Sequence, residues 1–296
     1  MGWLRRTAID VTPLRGSRDF RLLWGGSVVS ALGSQFARVG LYVQVYALTG
    51  SAAAVGLLGV SGLFGSVLGT LAGASFIDRH DRRRTLLWTQ AAAVGVASAL
   101  LLGAIGGHPP LWLLHLANAA TWFLAAIHGP ARQAAIPRLL RDEQVPAAVA
   151  LNQAGWQVSS IAGPALAGLL IAATSPAAAY AVDLVSYLVL IVAALRMAPI
   201  PPEVVDQRRG ASALAEGFAY LRGHRLLQST FVIDLFAMIF GSPVALFPVL
   251  AVQQFSRGPE VVGLLFAAPA SLPRSMIAPS CHMTALRQPS AVLLVP

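Results

Sequence analysis

Apolar residues in this 296-residue chain gather into long runs, and polar residues gather into the gaps between them. Crossing a bilayer takes about 20 mainly apolar residues in a helix. Seven runs meet that length: roughly Leu22 to Tyr46, Ala52 to Phe76, Leu86 to Ile105, Leu111 to Gly129, Ala148 to Ala173, Ala177 to Leu195 and Leu227 to Val249. An eighth starts near Val261 and meets Pro269 and Pro273. The pattern predicts an all-α, polytopic membrane protein with short joints between its spans.

Composition sharpens that picture. Hydrophobic residues make up 56% of the chain and charged residues 11%, against roughly 25% charged in an ordinary globular protein. A soluble core of this size has no room for such an excess of apolar side chains. The lipid bilayer is therefore the first predicted partner.

The net charge of +9 would suit nucleic acid if the charge were spread over a polar surface, but it is not. All 21 basic residues are Arg. The joints Leu48 to Ser51, Gly106 to Pro110 and Thr174 to Pro176 carry no formal charge, whereas the alternate joints hold Arg79 and Arg82 to Arg84, then Arg132, Arg138 and Arg141, then Arg196, Arg208, Arg209, Arg222 and Arg225. With the five arginines from Arg5 to Arg21, 17 of 21 fall on one side, and the opposite side has only Arg257. Cytoplasmic loops carry such an excess, so the amino terminus is predicted to be cytoplasmic and nucleic acid is not expected as a partner.

Other chemistry finds little support. A single cysteine, Cys281, rules out an intrachain disulfide. Without any Lys there is no phosphate-loop lysine, which argues against ATP hydrolysis. The six His are scattered with no metal-ligand spacing, and no nucleophile–base pair stands out. No enzyme activity, metal or cofactor is expected.

Small and polar residues inside the spans point to a packed bundle. Gly65, Gly69 and Gly73 recur every four residues and offer a smooth face for close helix approach. Gly163, Pro164 and Gly168 suit a bend or a tight crossing in the fifth span. Gln35, Arg38, Asn118, Asn152, Asp183 and Asp234 are too polar for hydrocarbon and are the candidates for a central cavity. Arg38 stays charged and needs a carboxylate, a carbonyl or an anionic solute; Asp183 and Asp234 are candidate proton carriers.

The most specific string joins the second and third spans. Gly73 ends the span, Asp78 sits at its edge, and Arg79, Arg82, Arg83 and Arg84 follow. Asp78 can accept from backbone amides at a neighbouring helix start or from an Arg, giving a polar clasp able to close and open.

This string resembles the loop signature of the major facilitator superfamily. Leu48-Thr49-Gly50-Ser51, Gly129-Pro130-Ala131-Arg132-Gln133-Ala134, Ile136-Pro137-Arg138-Leu139, Asn152, Gly163-Pro164 and Asp183 with Ser186-Tyr187 add a resemblance to its bacterial enterobactin-exporter-like branch, covering about Phe20 to Ala268. The resemblance implies alternating access to a central site by two six-helix halves, in the inner or plasma membrane of a bacterium. It implies efflux of a small solute, with protons as the coupling ion, and gives Gly73, Asp78, Arg79, Arg82, Arg83 and Arg84 to a cytoplasmic gate.

The implied organisation is a cytoplasmic segment at 1–20, a six-helix bundle at 21–197, a cytoplasmic linker at 198–226, the first helices of a second bundle at 227–268 and an aberrant tail at 269–296. Periodicity fails after Ala268, which is expected of a chain truncated after seven to eight helices and inactive alone. The alternative expectation is a nontransporting membrane component that binds or regulates a partner protein.

Overall fold

The computed structural model describes residues 10–77, 81–200, 222–225, 227–230, 232–233, 246–255 and 257–271. The described residues form helices and no strand. A short α1 (Thr12–Gly16) leads into α2 (Arg18–Thr49), α3 (Ala52–Ile77), α4 (Arg82–Ile105) and α5 (Leu111–Leu139). After a 3-10 turn at Asp142–Gln144 come α6 (Val145–Ala173), α7 (Pro176–Leu195), α8 (Phe247–Gln253) and α9 (Pro259–Ser271).

Local chemistry sets the ends. Ser17 caps α2 by accepting from the Phe20 N–H, and α2 stops at Gly50, whose φ of 61° few other residues adopt easily. Asp81 caps α4 through the Arg84 N–H at 3.0 Å. Pro176 opens α7, where a missing N–H costs nothing.

The six segments predicted as spans up to Leu195 are all helical, with one extended. Residues expected to leave the fourth span at Gly129 continue as helix to Leu139, through Pro130 and Pro137. Neither proline breaks α5, and its last turns pack Ala131 and Ala135 against Leu23, Leu86, Met197 and Ile200. Most of the predicted seventh span lies outside the described residues, as do Asp78, Arg79 and Asp234.

Five helices among the described residues are long and apolar enough to cross a membrane by length and composition. The 32-residue α2 exceeds all five in predicted span length or equals them, but its serines, glutamines and Arg38 dilute its apolarity. It sits in the middle, packed against α7 on one side and α6 on the other. The α4 helix joins α7 to α5, and α3 lies outside α5.

The polarity is reversed from that of a water-soluble bundle. Leu63, Phe64, Leu68, Trp88, Leu102 and Trp112 stand exposed on the outside, while Gln35, Gln44, Thr89, Gln90, Asn118 and Asp183 are buried. Hydrocarbon solvates such a surface, and polar groups retreat to where they find partners.

Small residues allow the helices to approach. A Cβ added at Gly65 or Gly69 would overlap the carbonyl oxygen of Ala119 or Phe123 on α5, and one at Gly73 would reach Ile127 Cγ1 at 3.2 Å. The predicted glycine face is thus the α3–α5 contact. A second face, on α2, runs through Gly26, Gly33 and Gly40 at seven-residue spacing and meets α7 at Leu190, Ser186 and Ala179. Seven residues are nearly two helical turns, so the three glycines lie along one stripe.

Overpacking at such contacts costs about 1–3 kcal/mol. We expect Gly65→Leu and Gly69→Leu to lower the thermal unfolding midpoint of the detergent-solubilised protein. Gly59→Ala and Gly95→Ala, where an added Cβ meets open space, should leave it unchanged or raise it.

Candidate functional site

Five helices enclose a cavity of about 310 Å³. Ser27, Ser30, Ser34 and Arg38 line it from α2, Thr89 and Gln90 from α4, and Asn118, Trp122, His128 and Arg132 from α5. Asn152 and Trp156 come from α6, and Asp183 and Tyr187 from α7. The volume sits at the small end of the range of about 300–1,000 Å³ typical of ligand pockets.

Asp183 is 3% exposed. Its Oδ1 accepts from Ser34 Oγ at 3.3 Å, and Ser34 Oγ lies 3.2 Å from the Tyr187 hydroxyl. Gly33 makes this cluster feasible. A Cβ there would overlap Ser186 Oγ and lie 3.2 Å from Asp183 Cα, so only a hydrogen side chain lets α2 bring Ser34 up to the carboxylate.

Arg38 lies four residues, about one turn, further along α2. It is exposed on the cavity wall, with its guanidinium 5.5 Å from the centroid of Trp122 on α5. Asn118, one turn from Trp122, ties α5 to α3 by donating to the Leu58 carbonyl at 2.7 Å and to Ser61 Oγ at 2.9 Å.

Further along α5, His128 Nδ1 lies 3.2 Å from both Thr89 Oγ1 and Gln90 Nε2 of α4. Arg132 Nη1 donates to Asn152 Oδ1 of α6 at 3.3 Å. Arg132 is the clearest revision to the sequence reading. Expected as a loop charge marking the cytoplasmic side, it is a cavity residue, because α5 continues for ten residues past Gly129.

Four of the predicted cavity residues, Arg38, Asn118, Asn152 and Asp183, line one space. Gln35 is buried outside it, against Gly163 of α6, where an added Cβ would come 2.6 Å from Gln35 Cβ. Ser34, Thr89, Gln90, His128, Trp122 and Trp156 line the cavity as well. Their helical spacing on α2, α4 and α5 was visible, but no single residue type among them is unusual in a membrane helix.

The glycine-proline element of α6 divides its contacts: Gly163 faces Gln35 of α2, while Gly168 and the Pro164 carbonyl meet α9. A Cβ on Gly168 would lie 2.6 Å from the Pro259 carbonyl oxygen and 3.0 Å from Gly263 Cα, and one on Gly263 would overlap the Pro164 carbonyl oxygen. Two smooth backbones therefore touch across this contact.

Of the loop motif, the described arginines divide their tasks. Arg83 reaches the end of α7, donating from Nε to the Ala194 carbonyl and from Nη2 to the Leu195 carbonyl, both at 2.7 Å. These carbonyls lie in the last turn, where a cation also meets the negative end of the helix dipole. The Arg82 N–H donates to the Ile200 carbonyl at 3.0 Å. The Arg84 side chain is exposed.

Comparison with known proteins adds the family. The profile described as transmembrane secretion effector matches residues 8–290, continuing past Ala268, where the periodicity reading saw the family pattern end. Macrolide efflux protein A of Streptococcus pyogenes is 25% identical over 258 residues, covering 83% of this chain and 62% of its own length. The enterobactin exporter of Citrobacter koseri is 23% identical over 263 residues, covering 88% of this chain and 62% of its own. The chain thus spans about three fifths of the length of these relatives. A solved POT family transporter in complex with a thioalcohol-conjugated peptide aligns with a TM-score of 0.49 and 12% identity, covering 79% of this chain and 52% of that one.

Hydrogen bonds from a charged donor contribute about 1.5–3 kcal/mol. Arg83→Met should therefore lower the unfolding midpoint in detergent and speed proteolysis after α7, while Arg84→Met should leave both near the parent values. Equal effects of the two would show that the cap on α7 contributes nothing.

Proposed function

The chain belongs to the transmembrane secretion effector family of the major facilitator superfamily, and on that footing we propose that it moves a small solute out of the cell by proton-driven alternating access. The observation that carries the reading is a cavity inside an apolar-surfaced bundle into which polar and charged side chains open, with one buried carboxylate, Asp183, in its wall. A carboxylate that is charged in one state and protonated in another changes how the cavity holds a solute, and so couples solute movement to a proton.

Direction rests on the relatives, whose names describe efflux and export. Alternating access needs surfaces that can shift without breaking side-chain interlocks. The glycine-on-glycine contact of α6 with α9 is such a surface, and the Arg83 cap on α7 is the kind of polar clasp a cytoplasmic gate uses. The arginine distribution supports an amino terminus in the cytoplasm.

Expression in a bacterial strain stripped of its own efflux pumps should lower accumulation of at least one dye from a panel of anionic, neutral and cationic solutes. A protonophore and Asp183→Asn should each abolish the effect. Unchanged accumulation across the whole panel would overturn the transport reading. For orientation, in a Cys281→Ser background, a cysteine at His108 should react with an impermeant maleimide on intact cells. One at Arg141 should react only after permeabilisation, and the reverse pattern would invert the topology.

A further inference from the structure

The cavity carries more positive charge than its own carboxylate can balance. Arg38 and Arg132 both line it, and Asp183 is the one Asp or Glu among the lining residues. Among the described residues neither arginine is ion-paired: Arg38 Cζ lies over the Trp122 ring, 5.5 Å from its centroid, and Arg132 gives a single hydrogen bond to Asn152. Asp183 is engaged by Ser34.

Each guanidinium keeps free donors. The contact with Trp122 is a cation over a ring and uses no N–H donor, and no hydrogen bond is made by the Arg38 guanidinium among the described residues, so its five N–H groups are available to a planar anion. The Asn152 bond occupies one donor of Arg132 and leaves four. The two charges stand at different depths. Trp122 marks the level of Arg38, and the ten residues from Trp122 to Arg132 cover about 15 Å along α5 at 1.5 Å per residue.

Three aromatic side chains, Trp122, Trp156 and Tyr187, line the same space as these charges. Ser27 Oγ, buried in the same wall, has no hydrogen-bond partner among the described residues. A cation would meet two unpaired arginines, and an apolar solute would leave both uncompensated. Resting on the transport reading above, we propose that the solute is an organic anion of one or two rings, its acidic group held bidentately by Arg38 or Arg132 and its ring against the tryptophans. The two guanidiniums, at different depths, offer the anion successive holding points.

Three isosteric probes test this on the purified chain in zwitterionic nanodiscs by calorimetry: 1-naphthoate, neutral 1-naphthylmethanol and cationic 1-naphthylmethylammonium. Naphthoate should bind at least about tenfold more tightly than either analogue, as charge-assisted bidentate pairing requires. Arg38→Gln and Arg132→Gln should each erase most of that preference, and Arg38→Lys, which keeps the charge but not the fork, should retain part of it. Arg196→Gln, an exposed arginine beyond α7, should change nothing.

The inference is overturned if the cation or the neutral analogue binds as well as naphthoate, if the glutamine variants bind naphthoate unchanged, or if none of the three binds. Competitive displacement of naphthoate by added phosphatidylglycerol would also overturn it, by making the anion a lipid headgroup. Failure of the transport reading is separate: arginine-dependent naphthoate binding without any solute flux sinks that reading alone, and flux of cations alone sinks only this inference.

Discussion

The contact between α2 and α7 is the constraint from which the site follows. Asp183 has to be screened from hydrocarbon by hydrogen-bonding groups, and Ser34 can supply one only if the two helix backbones nearly touch at Gly33. Gly26 and Gly40 keep that approach over the length of the contact. A larger residue at Gly33 would open the seam and withdraw the Ser34 hydroxyl from the carboxylate, and one at Gly26 would press on Leu190.

With α2 drawn onto α7, the other elements take their places around a space instead of closing over it. The α4 helix bridges α7 and α5, so Thr89 and Gln90 meet His128; α6 flanks α2 on its far side, so Asn152 meets Arg132. Ser34, Asn118, His128 and Arg132 in the wall each reach a group on another helix, which is how a bundle in lipid accommodates polarity. The cavity is the residue of these pairings: a place where the donors of Arg38 and Arg132 exceed the acceptors nearby.

Much of this was legible in the sequence, for reasons that differ by feature. Span length and the outward apolar face depend on the solvent, so the six helices up to Leu195 were predictable from hydropathy. The Gly65, Gly69 and Gly73 contact was readable because a four-residue repeat of the smallest side chain has few other uses. The Gly26, Gly33 and Gly40 stripe went unread because a seven-residue repeat is diluted by intervening serines and glycines. Arg132 was misplaced because Gly129-Pro130 looks like a helix end. Here the surrounding packing of Ala131 and Ala135 outweighs the lost backbone bond. Gln35, by contrast, obeys the rule that polar residues avoid lipid, yet satisfies it against α6 outside the cavity.

The loop motif and the cavity, distant in sequence, share a single rigid element. The α7 helix holds Asp183 in the cavity wall and ends twelve residues later at Leu195, whose carbonyl receives Arg83. That is about 18 Å of continuous helix at 1.5 Å per residue. A rearrangement of the loop that withdraws Arg83 would free the last carbonyls of α7 and the end of the helix with them. The same helix is locked to α2 at Gly33, so movement at its end bears on the seam that holds Ser34 against Asp183. On the proposed transport reading, protonation of Asp183 at one end and the Arg83 cap at the other would act on one helix, which is what a gate needs in order to respond to what the cavity holds.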